Sequence, residues 1–284
     1  MMSPILDGKK LAQAFKENLK KDIEALKPIV PRLDAIVVGD DPASHIYVQS
    51  KKKACVALGM KSHIHTLPHN TKSEDLLKLI QSLNHNKEVH GILLQLPLPQ
   101  ALDKSLFLNA LSPLKDVDCF HPINMGLLLE GKHFFIPCTP LGILKLLQST
   151  QESLEGKHAV VLGRSTLVGK PISLLLQEAN CTVTMCHSKT KNIFEFTKQA
   201  DIVVAAIGKP HFIKGEHIKK GAIVIDVGIN HTKNLEIVGD VDFESASKKA
   251  SWITPVPGGV GPMTIAMLLH NTVRAAMLQK ENKQ

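Results

Sequence analysis

Several sets of side chains in this 284-residue sequence have the types and spacings that chemistry requires. The first lies in a turn, Gly163-Arg164-Ser165 through Gly169-Lys170-Pro171, between a short apolar run (His158 to Leu162) and a helix-spaced stretch (Lys170 to Glu178). A strand-to-helix turn aims unpaired backbone N–H groups and the positive end of a helix at whatever sits above it, which suits a phosphate. Gly163 permits the sharp turn, Ser165 adds a small hydroxyl donor, Gly169 lets helix and strand approach, and Pro171 fits the first helical turn. The spacing G-x-S-x-x-x-G is one residue longer than the dinucleotide fingerprint and carries serine for its middle glycine, so a plain strand-to-helix turn is the competing reading.

The flanking residues favour a nucleotide. A second apolar run, Thr182 to Cys186, begins where a neighbouring parallel strand would end beside an adenine ribose. An acidic residue there would select NAD. The chain instead has His187, Ser188, Lys189, Thr190 and Lys191, and with Arg164 in the turn the expected ligand is the 2′-phosphate of NADP. Lys189 and Lys191 would equally serve as a solvated helix start.

A second set lies in the first half. Lys51 falls four residues after Tyr47, at the edge of an expected apolar helix stripe of Ala43, Ile46, Tyr47, Ala54 and Ala57. A lysine on such a rim is partly desolvated and fitted for acid–base work; alternatively its stem merely covers the stripe. Gln95 is the polar residue near the end of the apolar run Gly91 to Leu96, either satisfied by loop backbone or aimed into the crevice where parallel sheets bind ligands. Asp116 and Asp118 stand in a polar loop, as turn formers or as acceptors for a ligand. The stretch from Ile253 to Thr264 is rich in Pro and Gly, which fixes an unusual backbone with exposed N–H groups.

The elements that must position these residues alternate between strand and helix. Helices are predicted over Leu11 to Leu26, Pro42 to about Leu58, Ser73 to Leu83 with Ser73 or Thr71 as cap, about Asp103 to Leu111, Thr139 to Leu147, and about Ile265 to Leu278. Strands are predicted over Leu33 to Val38, Lys61 to Leu67, Gly91 to Leu96, His158 to Leu162, Thr182 to Cys186, Asp201 to Ile207 and Ala222 to Val227. Such alternation indicates parallel sheets with helices on both faces, here as two α/β lobes with a boundary near residues 137 to 155.

Composition narrows the options. The chain is 44% hydrophobic and 21% charged, and its net charge of +8 suits an anionic partner. One Trp and one Tyr are too few for a base-stacking platform, so nucleic acid is not expected. Five cysteines without a C-x-x-C pair suggest a reducing compartment. Among 14 histidines, the neighbours His63 and His65, or His85 and His90, are expected by chance, and no metal is expected. No apolar run reaches a membrane span, and Asp7, Lys9 and Lys10 interrupt a signal-peptide core, so a cytoplasmic protein is expected.

Taken together, the motifs resemble one family, the bifunctional methylenetetrahydrofolate dehydrogenase/methenyltetrahydrofolate cyclohydrolases of one-carbon metabolism. The matching pieces are DDPASHIYVQSKKKAC (Asp40 to Cys55), GILLQLPLP (Gly91 to Pro99), KDVDCFHP (Lys115 to Pro122), CTPLGI (Cys138 to Ile143), GRSTLVGKP (Gly163 to Pro171), GAIVIDVGIN (Gly221 to Asn230), VGDVDF (Val238 to Phe243) and TPVPGGVGPMT (Thr254 to Thr264). They run in the family's order from end to end. The clearest departure is Cys119, where the family usually has glycine.

The resemblance implies two α/β lobes flanking a cleft, the second a Rossmann-type NADP-binding domain. It assigns 1–137 plus 265–284 to a folate-binding catalytic domain and 138–264 to the NADP domain, the last helix crossing back onto the first lobe. It implies oxidation of 5,10-methylenetetrahydrofolate with NADP, then hydrolysis of the methenyl product to 10-formyltetrahydrofolate. Lys51 would be catalytic, Gln95 its partner, Tyr47 a stacking surface for the folate, and Asp118 the acceptor of the pterin edge. Pro257, Gly258, Gly259, Val260, Gly261 and Pro262 would line the substrate site. Gly163, Arg164, Ser165, Ser188 and Ile229 would bind NADP. Family members are commonly homodimers joined through the nucleotide-binding lobe. The rival readings are a shikimate-type dehydrogenase on the same two-lobed plan, and a nucleotide-sensing or RNA-binding protein that exploits the positive charge.

Overall fold

The computed structural model describes residues 4–232 and 236–281. In chain order the elements are α1 (Gly8–Ala25), β1 (Arg32–Val38), α2 (Pro42–Ala57), β2 (Lys61–Leu67), α3 (Ser73–His85), β3 (Gly91–Leu94), α4 (Lys104–Ala110), α5 (Pro122–Leu129), α6 (Cys138–Ser149), β4 (His158–Leu162) and α7 (Gly169–Glu178). There follow β5 (Thr182–Cys186), α8 (Ile193–Thr197), β6 (Ile202–Ala205), β7 (Ile223–Asp226), β8 (Asn230–His231), β9 (Ile237–Val238), α9 (Phe243–Ala246), β10 (Trp252–Ile253) and α10 (Val260–Glu281). The chain divides into two compact units, one of residues 14–138 and 265–284, the other of 1–13 and 139–264.

In the first unit β1 lies between β2 and β3, all parallel, with Asp34 opposite both His63 and Ile92. β1 and β3 are almost wholly buried because helices must cover a parallel sheet, and apart from Arg32 and Asp34, which pair with each other, they are apolar. Ile36, Leu76, Ile80, Ile92 and Phe107 form the core between sheet and helices. A further rung at Ile92 and Asp116, with Ile92 N–H donating to Lys115 O at 2.7 Å, carries the chain past the edge of β3. The Gln279 side chain of α10 donates to His90 O at 2.8 Å and Leu114 O at 3.2 Å, tying the last helix into this unit.

The second unit holds a five-stranded parallel sheet in the order β10-β7-β6-β4-β5. Val160, Leu162, Val203, Ala205, Val224 and Ile253, all on its own strands, give the sheet a buried apolar face. The start of the chain belongs here, not with the first lobe as expected. Leu6 N–H donates to Ile253 O at 2.8 Å, and Ile5 bridges Ile253 in parallel, so a single rung completes the β10 edge. A rung that short leaves no periodic pattern to read.

Other departures have local causes. The third strand ends at Leu94, before Gln95. α3 has Lys72 at its cap with no side-chain bond, because the Thr71 hydroxyl donates to Pro68 O at 2.6 Å instead. α5 was not anticipated; Pro122 opens it, and His121 Nδ1 accepts Ile123 N–H at 3.0 Å as its cap. α10 begins at Val260, so Val260, Gly261 and Pro262 are the helix's first turn and not loop.

Candidate active site

Asp41 starts α2 by accepting Ser44 N–H at 2.9 Å, with Pro42 in the first turn, and this sets the rotation of the helix. Its buried face is Ser44, Val48, Lys51 and Cys55. The expected apolar stripe is therefore wrong: Ile46 is 68% and Tyr47 40% exposed, whereas Lys51 is only 9% exposed. The apolar residues are scattered around this helix, and packing chose a face with a lysine in it. Tyr47 keeps an accessible ring one turn away.

The Lys51 ammonium donates to Gln95 Oε1 at 3.1 Å. Gln95 lies just past β3, with its N–H donating to Ile36 O at 2.9 Å and its Nε2 donating to Leu96 O at 2.7 Å. Loop backbone takes one end of the amide, as one of the two readings expected, and Lys51 takes the other. The amide orientation is fixed, because a flip would point two N–H groups at an ammonium.

The two aspartates separate by role. Asp116, fully buried, accepts His121 N–H and Asn124 Nδ2 on Oδ2, each at 2.8 Å, and shapes the turn. Asp118 makes no such turn bond. Desolvation pushes its carboxyl above the usual range, against the opposing pull of the Lys51 ammonium and a hydrogen bond from the Cys138 thiol. Lys51, Gln95 and Asp118 are therefore brought together, although 67 positions of chain separate the outer two.

Sequence reasoning gave no role to Cys138 and Asn271, which hold this loop. The Asn271 amide of α10 donates to Val117 O at 2.8 Å and Ile136 O at 2.9 Å, and the single Cys138 S–H is shared between Asp118 and Val117 O, the latter at 3.4 Å. Cys138 lies in the quoted CTPLGI segment, so a signal existed for it. Asn271 sits in a helix without one. Cys119, beside Asp118, has φ 62 and its thiol donates to Phe135 O at 3.4 Å. The left-handed backbone explains why glycine suits this position.

In the second unit the turn after β4 has the form a phosphate requires. Gly163 N–H donates to Cys186 O at 2.8 Å, so the ends of β4 and β5 lie side by side, and the 187–190 turn carrying Ser188 follows at that point. Gly163 has φ 119, and a Cβ there would lie 2.3 Å from Ala206 O; at Gly169 it would lie 2.2 Å from Gly163 O. Ser165 Oγ accepts Val168 N–H at 3.1 Å and Gly169 N–H at 3.3 Å, which leaves its hydroxyl hydrogen to donate outward. Arg164, Ser188 and Lys189 are exposed here. Ile229, past the end of β7, is 48% exposed. These residues fit a dinucleotide with a 2′-phosphate: a cradle too tight for a side chain, with cations and hydroxyls at its mouth.

The Pro- and Gly-rich segment is anchored in the same unit. Thr254 Oγ1 accepts Asp226 N–H at 2.7 Å, and Gly258 O accepts Lys9 N–H at 3.1 Å. Sequence reasoning gave no role to Asp226, buried at the end of the predicted strand over Ala222 to Val227, or to Asp240, buried just past β9, a strand it did not predict. Among the described residues, no group of three or more His, Cys, Asp or Glu is arranged to hold a metal, and no helix is long and apolar enough to cross a membrane.

A parallel sheet with this turn, in a chain that also carries a desolvated lysine–glutamine–aspartate set, defines a dinucleotide-dependent oxidoreductase with a second, acid–base capability. Comparison with known proteins agrees. A family model for the tetrahydrofolate dehydrogenase/cyclohydrolase NAD(P)-binding domain matches residues 137–280, and one for the catalytic domain matches 6–118. The bifunctional protein FolD of Acetivibrio thermocellus is 54% identical over 285 residues, covering 100% of both chains. The crystal structure of the bifunctional FolD enzyme from Campylobacter jejuni superposes with a TM-score of 0.96 at 50% identity, covering 99% of this chain and 100% of that one. The Trypanosoma brucei FolD, complexed with NADP cofactor and inhibitor, gives 0.94 at 38% identity over 98% of each chain. The chain belongs to the tetrahydrofolate dehydrogenase/cyclohydrolase family.

Proposed function

We propose that this chain carries out two consecutive reactions on one folate. It oxidises 5,10-methylenetetrahydrofolate to the 5,10-methenyl cation, and then adds water to give 10-formyltetrahydrofolate. Family membership supports both activities. The division of roles rests on the 3.1 Å hydrogen bond from Lys51 to Gln95 beside a desolvated Asp118.

NADP, when bound, supplies the hydride acceptor. The carbon that loses hydride lies between two nitrogens, so its positive charge is delocalised, and the protein's main task in that step is positioning. Asp118 accepts two N–H bonds from the 2-aminopyrimidinone edge of the pterin, a fork that matches a carboxylate. Tyr47 offers a ring face for stacking.

Water addition demands more. The water oxygen bonds to the cationic carbon, the bond from that carbon to N5 breaks, one water proton passes to N5 and the other is released. Lys51 moves these protons, and Gln95 holds its Nζ in place. On the cofactor side, Gly163, Arg164 and Ser165 take phosphate, Arg164 and Ser188 face the 2′-phosphate, and Ile229 packs against the nicotinamide end. The first unit is the folate-binding catalytic domain and the second the NADP domain. The protein works in the cytoplasm as a homodimer joined through its NADP domain, supplying one-carbon units at the oxidation level that purine assembly consumes.

The test is a spectrophotometric assay with 5,10-methylenetetrahydrofolate and either NADP or NAD, following cofactor reduction and then methenyl decay. NADP-dependent reduction followed by accelerated decay is expected. Lys51→Ala should still bind folate and lose the accelerated decay. Full hydrolysis by that variant would overturn the role of Lys51, and equal use of NAD would overturn the 2′-phosphate pocket.

A further inference from the structure

The loops after β6 and β7 meet on one buried carboxylate. Asp240, fully buried, accepts the N–H groups of Ile207 at 2.7 Å and Gly208 at 3.0 Å on Oδ2. Its Oδ1 accepts Lys209 N–H at 2.8 Å and Asn230 Nδ2 at 2.9 Å. Successive backbone N–H groups converging in this way make an anion-binding nest, and here the anion is the protein's own.

Asp240 is itself held from behind. Asp226, at the end of β7, accepts Asp240 N–H at 2.9 Å and Gly228 N–H at 3.0 Å on Oδ1, and Val241 N–H at 2.9 Å on Oδ2. The approach is so close that a Cβ at Gly228 would lie 2.4 Å from Asp240 Oδ1. Ile229 therefore stands between two tethered neighbours, Gly228 and Asn230, with its own side chain 48% exposed. Both loops lie at the carboxyl ends of parallel strands, where such sheets bind ligands. Among the described residues no hydrogen bond joins Arg164 or Ser188 to this network, although Gly163 packs against Ala206, the residue before its first donor.

We propose that Asp240 is a positioning residue for the nicotinamide half of NADP, acting through Ile229 and the Ile207 to Lys209 segment, a role that rests on the cofactor site proposed above. A carboxylate is required because four donors share two acceptor oxygens. An asparagine would turn one oxygen into an NH2 facing donors, leaving a buried mismatch. The adenosine end, seated on other loops, would be untouched.

Equilibrium binding separates the two ends. NADP and adenosine 2′,5′-bisphosphate, which lacks the nicotinamide riboside, are titrated calorimetrically into wild type, Asp240→Asn and the milder Asn230→Ala. Asp240→Asn should weaken NADP about tenfold and Asn230→Ala by about threefold, with the bisphosphate held within about twofold in both. Parallel loss of both ligands would mean general disruption and overturn the proposal, as would unchanged NADP affinity. Should Asp240→Asn fail to fold, Asn230→Ala decides by the same comparison. Failure of the wild type to bind NADP would instead overturn the cofactor site itself, and this role with it.

Discussion

The Lys51 ammonium donates to Gln95 Oε1 at 3.1 Å while Gln95 Nε2 donates to Leu96 O at 2.7 Å, so a lysine on one helix is aimed by an amide that the next segment of chain holds rigid. Gln95→Glu would place a carboxylate against the ammonium and favour its protonated form. Methenyl hydrolysis should slow about tenfold near neutral pH, with its pH profile displaced to higher pH. Gln95→Ala should slow hydrolysis without that displacement. An unshifted profile for Gln95→Glu would remove Gln95 from the proton chemistry.

Arg164 is exposed at the turn after β4, with no acidic partner among the described residues. A charge-assisted bond to a 2′-phosphate is worth roughly 1.5–3 kcal/mol. Arg164→Ala should therefore raise the KM for NADP at least about tenfold and leave that for NAD nearly unchanged. Equal losses for both cofactors would mean that Arg164 serves the shared pyrophosphate.

Cys119 occupies a left-handed backbone conformation, φ 62, with its side chain fully buried. Cys119→Gly relieves roughly 1 kcal/mol of backbone strain but loses packing of similar size, so thermal stability should change little. Cys119→Val places a β-branched side chain at the same φ and should destabilise by about 2 kcal/mol or more. Denaturant melts of the two variants check this; equal stability would mean that the backbone relaxes out of the left-handed region.

Burial raises the Asp226 carboxyl from 3.8 to about 6, outweighing the three N–H groups it accepts. The folded protein thus holds this proton more tightly than the unfolded chain. The stabilising contribution is fully present below about pH 4 and is lost as pH rises through about 6. The stability of wild type minus that of Asp226→Asn should fall over this window by on the order of 3 kcal/mol. A carbon-13 carboxyl titration of Asp226 should have its midpoint near 6; a midpoint near 4 would show that its hydrogen bonds outweigh burial.

Part of the fold was legible because a strand buried on both faces, such as β4, must be an apolar run, and because the partly exposed edge strands β2 and β5 still carry a strand-like pattern. β2, β4 and β5 have the predicted bounds, and the Asp41–Pro42 cap starts α2 where expected. Elements of two residues, β8, β9 and β10, were missed, because a pairing so short is set by its neighbours and not by its own pattern. The face of α2 was misread for a related reason: its apolar residues circle the helix, and the sheet chose the side.

The sequence by itself determined the chemical inventory: a glycine–serine turn without a competing carboxylate, a lysine on a helix, a glutamine at a strand end, and aspartates in a loop. Local covalent geometry and side-chain charge dictate these wherever the chain goes. Only the tertiary structure decided which of two nearby aspartates faces Lys51 and which shapes a turn, and that Asn271, far along the chain, brackets the Asp118 loop. It also decided that Asp226 and Asp240 share one network of backbone donors. Such assignments depend on which buried polar groups meet once separate strands and helices are packed, and no spacing along the chain encodes that.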